Sequence, residues 1–267
     1  MAQKLNTAII QANLKWEDPQ ENRSLFSKEI KALSEDVDLI ILPEMFTTGF
    51  SMNAERLAEQ TDGLSLQWMR EIAKLKDAAV TGSLIITEND NYYNRLFFVF
   101  PDGTYKIYDK RHTFTLANEH KTYTAGKERL VLEYKGWKIC PLVCYDLRFP
   151  VFSRNTEDYD LLIYVANWPK KRVFAWDVLL KARAIENMSY CIGVNRTGKD
   201  GNKAEYNGHT AVYDGLGQNI TELDREEPFV QEIALDKKQL EETRSHFKFL
   251  QDRKLYYNWK SVNILER

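Results

Sequence analysis

Short apolar runs alternate with segments of helical period along most of the chain. Thr7–Ala12 reads as a first strand. Asp18-Pro19 follows, an N-cap residue with proline at the first helical position, and the helix it opens places Phe26, Ile30 and Leu33 along one side as far as Ser34. Val37–Leu42 is apolar without interruption, the mark of a strand covered on both faces, and it stops at Pro43-Glu44. A helix over Ser65–Asp77 and a strand over Ala79–Ile86 come next. Tyr93–Phe100 and Thr104–Lys110, joined by Pro101-Asp102-Gly103, read as a hairpin. Residues 111–128 read as loop or short helix. Leu130–Tyr134 and Trp137–Val143 make a strand pair about Lys135-Gly136. Pro141 lies inside the second of these and cannot donate to a ladder, so an edge, a bulge or a bend is expected there. A strand at Leu161–Ala166, a helix at Arg172–Asn187 and a strand at Tyr190–Asn195 precede further hairpins to about Leu235, a short helix and an irregular tail.

So many hairpins sit poorly with one doubly wound parallel sheet. Two packed sheets with helices outside, an α/β arrangement, fit better. We find no repeat, low-complexity stretch or linker, and 267 residues with 43% hydrophobic content support one large domain, residues 1–267, as readily as two small ones. A net charge of −2 lends no support to general nucleic-acid binding. No apolar run approaches the roughly 20 residues needed to cross a bilayer, and the first residues lack the apolar core of a secretory signal, so the expected location is cytoplasmic. Three cysteines, an odd and low count, argue against a disulfide framework. Four histidines without metal-site spacing argue against zinc.

Three local patterns carry candidate chemistry. In ILPEMFTTGF, Glu44 stands just past a buried strand, where α/β sheets place ligands; alone it reads more readily as a solvated loop residue. In YDKRHTFTLANEH, Lys110 ends a strand and Glu119 follows nine residues on; alone this lysine reads as exposed and inert. In ICPLVCYDLRFPVFSRN, Cys144 occupies a strand-to-helix turn, where outward-pointing backbone N–H groups favour an anion and hence a thiolate. Cys140 reads as a strand residue and Cys191 as a core residue, both inert.

In this order and spacing, and together with NWPKKR, KARAIENMSY and GVNRTG, the patterns resemble the nitrilase superfamily of carbon–nitrogen hydrolases over nearly the whole chain. The combination of CYDLRFP with FSRN and NWP is similar to its omega-amidase branch, which hydrolyses the terminal amide of short 2-oxo dicarboxylic acid monoamides. The resemblance implies Cys144 as nucleophile, Glu44 as general base, Lys110 as catalytic lysine and Glu119 as a second glutamate that orders the site. It also implies a four-layer αββα sandwich, no metal or organic cofactor, and a homodimer.

The chemistry has its own logic. An amide is a poor electrophile and needs a thiolate. Glu44 can take the thiol proton and pass it to departing ammonia, while Lys110 and a backbone N–H near Tyr145 face the oxyanion. A Cys–His pair using His112 explains fewer residues. Phe114, Tyr145 and Trp168 are candidate pocket walls, and any of Arg148, Arg154, Lys170, Lys171, Arg172 and Arg196 could read a substrate carboxylate. At 100° per residue, the helix over 172–187 shows two apolar faces, Val173/Leu180/Ala184 and Phe174/Val178/Ala182/Ile185. Asp177 with Lys181, and Arg183 with Glu186, form polar stripes between them. Two faces need two partners: the helix's own sheet, and a second subunit or the aromatic tail from about 247, with Tyr256, Tyr257 and Trp259. Competing readings are another nitrilase-type substrate (nitrile, N-carbamoyl amino acid or aliphatic amide), a metal-dependent phosphoesterase, and a catalytically dead scaffold.

Overall fold

A computed structural model describes residues 4–222 and 226–253. The first half of the chain builds one sheet from β1 (Lys4–Gln11), β2 (Leu39–Ile41), the two-residue β3 (Glu59–Gln60), β4 (Ala79–Glu88), β5 (Asn91–Val99) and β6 (Tyr105–Asp109). Between these strands run α1 (Pro19–Lys31), the single turn α2 (Ala54–Leu57) and α3 (Leu64–Lys76). The one-turn α4 (Glu119–Thr122) then leads to β7 (Leu132–Tyr134), β8 (Trp137–Val143), the one-turn α5 (Pro150–Ser153), β9 (Leu161–Val165), α6 (Val173–Asn187) and β10 (Tyr190–Val194). A two-stranded ribbon, β11 (Thr197–Lys199) with β12 (Glu205–Asn207), interrupts the return to β13 (Ala211–Tyr213). β14 (Phe229–Asp236), α7 (Lys237–Phe247) and α8 (Phe249–Asp252) complete the described chain.

The strand orders are β14-β1-β2-β4-β5-β6, with β3 on the end of β4, and β13-β10-β9-β8-β7. In each sheet the central strands run parallel and the outer ones antiparallel. The side-chain period of two sorts the first sheet cleanly. Leu5, Ile9, Leu39, Ile41, Leu96 and Phe98 face the second sheet, where Ile139, Leu161, Ile163 and Val165 meet them. Ala8, Ile10, Ile40, Val80 and Phe97 face α1 and α3, where Phe26, Ile30, Leu66, Met69 and Ala73 cover them. Trp176, Leu180 and Ala184 of α6 and Leu240 of α7 cover the other side of the second sheet. The result is the αββα sandwich. Gly193 in β10 allows its closeness to α6, since a Cβ there would stand 2.4 Å from Leu180 Cδ1.

Several expectations shift by a residue or two. Asp18 caps α1 by accepting from the Glu21 N–H at 3.0 Å, and Pro19 opens the helix, but the helix closes at Lys31 rather than Ser34. β4 and β5 extend until they meet as a hairpin at Asn89-Asp90, where both residues take positive φ. Pro141 in β8 pairs with β9, while β7 reaches only to Ile139. One side of β8 is therefore open at the proline, a local edge, and the missing donor breaks no ladder bond there.

The reading of α6 needs correction. Val173 is only half-buried, whereas Trp176 and Arg183 are buried, so Arg183 is no part of a solvated polar stripe. Its guanidinium donates to the Leu147 carbonyl (2.6 Å) and to Glu186 (2.9 Å), tying α6 to the turn after Cys144. Asp177 pairs with His209 at 2.9 Å. Phe174, Val178 and Ile185 are exposed. Tyr256, Tyr257 and Trp259 lie outside the described residues.

Candidate active site

The C-terminal ends of the parallel strands gather at one end of the sandwich, and each delivers a polar residue. Glu44 follows β2, Cys144 follows β8, Asn167 follows β9 and Asn195 follows β10. Lys110 stands at the end of β6. Its backbone is anchored on both sides: its N–H donates to the Asn94 carbonyl, and its carbonyl accepts from the Gly126 N–H, both at 3.0 Å.

These residues are deeply buried. Glu44 and Glu119 have no exposed surface and Lys110 has 1%. The Lys110 Nζ lies 2.9 Å from Glu44 Oε1 and 2.9 Å from both oxygens of Glu119. Burial by itself pushes the lysine toward its neutral form, but the negative charges of Glu119 and Glu44 outweigh it and raise the Lys110 pKa, so the ammonium is kept. Glu119 is raised above the ordinary carboxylate range, by burial first and by Glu44 besides, with Lys110 opposing. It also accepts the Phe114 N–H at 2.5 Å, which pins the loop of Phe114 to the cluster.

Two further donors hold the Glu44 carboxylate. Asn94 Nδ2 donates to its Oε1 (2.8 Å) and reaches Glu119 Oε1 at 3.3 Å. The Asn167 N–H donates to Oε2 at 2.8 Å, and Asn167 Nδ2 to the Glu44 carbonyl at 2.5 Å. Asn195 in turn accepts the Trp168 N–H and donates to the Trp168 carbonyl, at 2.7 and 2.9 Å. A buried charge cluster needs such pairing to persist.

Cys144 opens a 3-10 turn over Cys144–Arg148 and takes a left-handed φ of +44°, unusual for a residue with a side chain. Its thiol pKa is raised well above the ordinary value, first by burial, then by the Glu44 charge; Lys110 pulls the other way, and a hydrogen bond to Glu44 adds to the rise. Burial and the Glu44 charge thus favour the neutral thiol, and Glu44 is the carboxylate available to take its proton. By contrast Cys140 is simply buried in β8, its pKa pushed up to about 12, and Cys191 is buried in β10.

Cys144 and Lys110 share a cavity of about 570 Å³. Phe114, Tyr145 and Trp168 all line it. Of the six candidate cations, Arg148 and Arg172 line it; Arg154, Lys170, Lys171 and Arg196 do not. The Arg148 guanidinium sits 5.0 Å over the Trp168 ring and that of Arg172 4.8 Å over Phe114. Neither makes an ion pair or donates a hydrogen bond among the described residues. Burial, together with the like charge of Arg148, lowers the Arg172 pKa against an opposing pull from Cys144. His112 does not line this cavity. Its Nδ1 lies 2.7 Å from Asp146 Oδ1 and its ring stacks on Phe149, so the Cys–His reading loses its base. Among the described residues, no group of three or more His, Cys, Asp or Glu is arranged to hold a metal ion.

Sequence reasoning missed Asn94, Asn167 and Asn195. Asn94 carried one signal, a polar residue beside Arg95 in the mostly apolar strand YYNRLFFVF. Asn167 and Asn195 each directly follow an apolar strand run, as Glu44 does.

Comparison with known proteins matches the geometry. Residues 6–245 fit the carbon-nitrogen hydrolase family. The chain is 48% identical to the omega-amidase YafV of Yersinia enterocolitica, over 80% of this chain and 83% of that one. It is 35% identical to the 2-oxoglutaramate amidase of Bacillus subtilis, over 85% and 89%. In three dimensions it resembles XC1258 of Xanthomonas campestris, a CN-hydrolase superfamily protein crystallised with an arsenic adduct in its active site. There the TM-score is 0.92 at 44% identity, covering 94% of this chain and 97% of the other.

Proposed function

The chain belongs to the carbon–nitrogen hydrolase family, and on that premise we propose that it is an omega-amidase, cleaving short linear 2-oxo dicarboxylic acid monoamides of the 2-oxoglutaramate or 2-oxosuccinamate type to the acid and ammonia. One observation carries the substrate class. The cavity that holds Cys144 beside the Lys110 ammonium also holds two arginines without acidic partners. A neutral amide suits the first end and a carboxylate the second.

The reaction then runs on this chain's own groups. The Cys144 thiol gives its proton to Glu44 as the sulfur attacks the amide carbon. Negative charge gathers on the carbonyl oxygen, where Lys110 Nζ and the Tyr145 backbone N–H donate to it. The carbon–nitrogen bond breaks, and Glu44 returns the proton to the leaving nitrogen, so ammonia departs and a Cys144 thioester remains. Water enters, loses a proton to Glu44 and attacks the thioester. The carbon–sulfur bond breaks, the acid leaves, and the thiol is reprotonated. Glu119 takes no proton in this scheme: it holds Lys110 charged and fixes the Phe114 loop. No metal or organic cofactor enters any step.

Comparative hydrolysis of 2-oxoglutaramate, N-carbamoyl-β-alanine and a simple nitrile tests the substrate. Release of ammonia from the last two alone would reject the reading. A cytoplasmic location accompanies it; among the described residues, no helix is long and apolar enough to cross a membrane. We read the chain as one domain that forms a homodimer through Phe174, Val178 and Ile185 of α6, with the exposed Phe247 and Phe249 near that interface. Light scattering on a sizing column checks this, and a monomer at micromolar concentration would end it.

A further inference from the structure

We propose that Asp146 is a positioning residue that sets the spacing between Cys144 and Lys110, acting through Tyr108 and His112. The inference rests on the reading of Cys144 as nucleophile and Lys110 as oxyanion cation.

Asp146 is buried, and its two oxygens collect four donors from two different segments. Oδ2 accepts the Tyr108 hydroxyl at 2.7 Å and the Val143 N–H at 3.0 Å. Oδ1 accepts the His112 N–H at 3.0 Å and faces His112 Nδ1 at 2.7 Å. The sequence positions give this cage its meaning. Tyr108 and His112 stand two residues before and two after Lys110. Val143 and Asp146 stand one before and two after Cys144. A single carboxylate thus stitches the segment that carries the ammonium to the turn that carries the sulfur.

Two further contacts tighten the stitch. The Tyr108 oxygen accepts the Arg111 N–H at 3.0 Å, so the phenol both receives from and donates to the joint. Burial, then the Asp146 charge, raise the Tyr108 pKa, which keeps that phenol a donor. The His112 ring stacks on Phe149, the residue that ends the Cys144 turn, with centroids 3.7 Å apart and planes at 7°.

A left-handed backbone at a residue with a side chain persists only where its surroundings hold it. At Cys144 the Val143 N–H bond to Asp146 is the neighbouring restraint. None of Tyr108, His112 and Asp146 lines the cavity that contains Cys144, so none is placed to touch substrate. Their effect must pass through the positions of the sulfur and the ammonium. A misplacement of about 1 Å at such a pair can cost on the order of a hundredfold in rate.

The test compares Tyr108→Phe, His112→Ala, His112→Asn and Asp146→Asn in the full-length protein. It reads kcat and KM for 2-oxoglutaramate, iodoacetamide alkylation of Cys144 by mass spectrometry, and thermal unfolding. We expect Tyr108→Phe and His112→Ala to lower kcat roughly tenfold, and Asp146→Asn roughly a hundredfold, with KM within about twofold. His112→Asn sets an amide N–H near the place of Nδ1 and restores most of the loss. Cys144 is alkylated more slowly in the impaired variants, because the Lys110 charge no longer favours its thiolate. Should Asp146→Asn fail to fold, Tyr108→Phe decides, since it removes one hydroxyl. Wild-type kcat and alkylation in Tyr108→Phe and His112→Ala, or a loss confined to KM, would overturn the proposal. Alkylation does not depend on which amide is the substrate, so it judges the stitch even if the substrate assignment fails.

Discussion

The Lys110 ammonium lies 2.9 Å from Glu44 Oε1, a residue 66 positions earlier in the chain, and shares its remaining contacts with both oxygens of Glu119. One cation serves two carboxylates where water barely reaches. The site therefore carries a negative surplus, and the Asn94 amide and the Asn167 backbone N–H help to hold it.

Replacing Lys110 by Met leaves two buried carboxylates facing one another. Breaking a buried pair in this way costs about 3–5 kcal/mol. The sign of the pH effect follows from Glu119, already raised above its ordinary value. A raised acid holds its proton in the folded state, so stability in the variant falls as pH rises and returns as pH drops toward about 5. Thermal unfolding at about pH 5 and about pH 8 measures this. Hydrolysis falls by about a hundredfold to a thousandfold through loss of the oxyanion donor. A Lys110→Met protein of wild-type stability and rate would contradict the assignment.

Glu44→Gln keeps the shape of the base and removes its proton acceptor. The expected loss in kcat is about 10²- to 10⁴-fold. Cys144→Ala abolishes hydrolysis and the acyl adduct that mass spectrometry of quenched wild-type enzyme detects. Retained turnover in Cys144→Ala would refute the thioester route outright.

Without substrate, burial and the Glu44 charge push the Cys144 thiol pKa up and favour its neutral form. Its alkylation by iodoacetamide therefore keeps climbing past the ordinary cysteine midpoint of about pH 8.5. A plateau reached below about pH 7 would mean a resting thiolate and reverse the direction inferred for this group.

Arg172→Gln and Arg148→Gln remove the unpaired cations from the cavity. KM for 2-oxoglutaramate should rise about tenfold to a hundredfold, while a simple aliphatic amide, lacking the carboxylate, changes little. Equal losses for both substrates would place these arginines in the scaffold instead.

Gly126→Ala is predicted to damage the site from a distance. A Cβ at this position would stand 2.0 Å from the Asp109 carbonyl oxygen, just before Lys110 in the backbone. Stability and kcat should fall together, read by unfolding and by steady-state rates; an unaffected kcat would show that the Lys110 backbone has room to move.

Much of this was legible in the chain because the signals were local. Asp18-Pro19 announces α1, and the uninterrupted run before Pro43 announces a strand buried on both faces. The motifs around Glu44, Lys110 and Cys144 mark the three segments that meet. What escaped was long-range. β14 pairs with β1, bonded by Thr7 to the Ile233 carbonyl across 226 residues, and no local pattern encodes that partner. Asn94 is an ordinary strand residue until two carboxylates converge on it. Arg183 looked like half of a surface pair because helical period cannot tell that a carbonyl from the Cys144 turn waits under it. Arg148 and Arg172 were two of six equal candidates until the cavity separated them from the others.

The charge layout of the cavity also bears on how a turnover ends. On the function proposed above, substrate arrives with one negative group toward the arginines and a neutral amide beside Glu44 and Glu119. Hydrolysis turns that amide into a second carboxylate at the end where two acids already share a single ammonium. The new anion is born among like charges and is driven outward. The pocket that welcomes the monoamide thus ejects the diacid, which disfavours both product inhibition and the reverse synthesis.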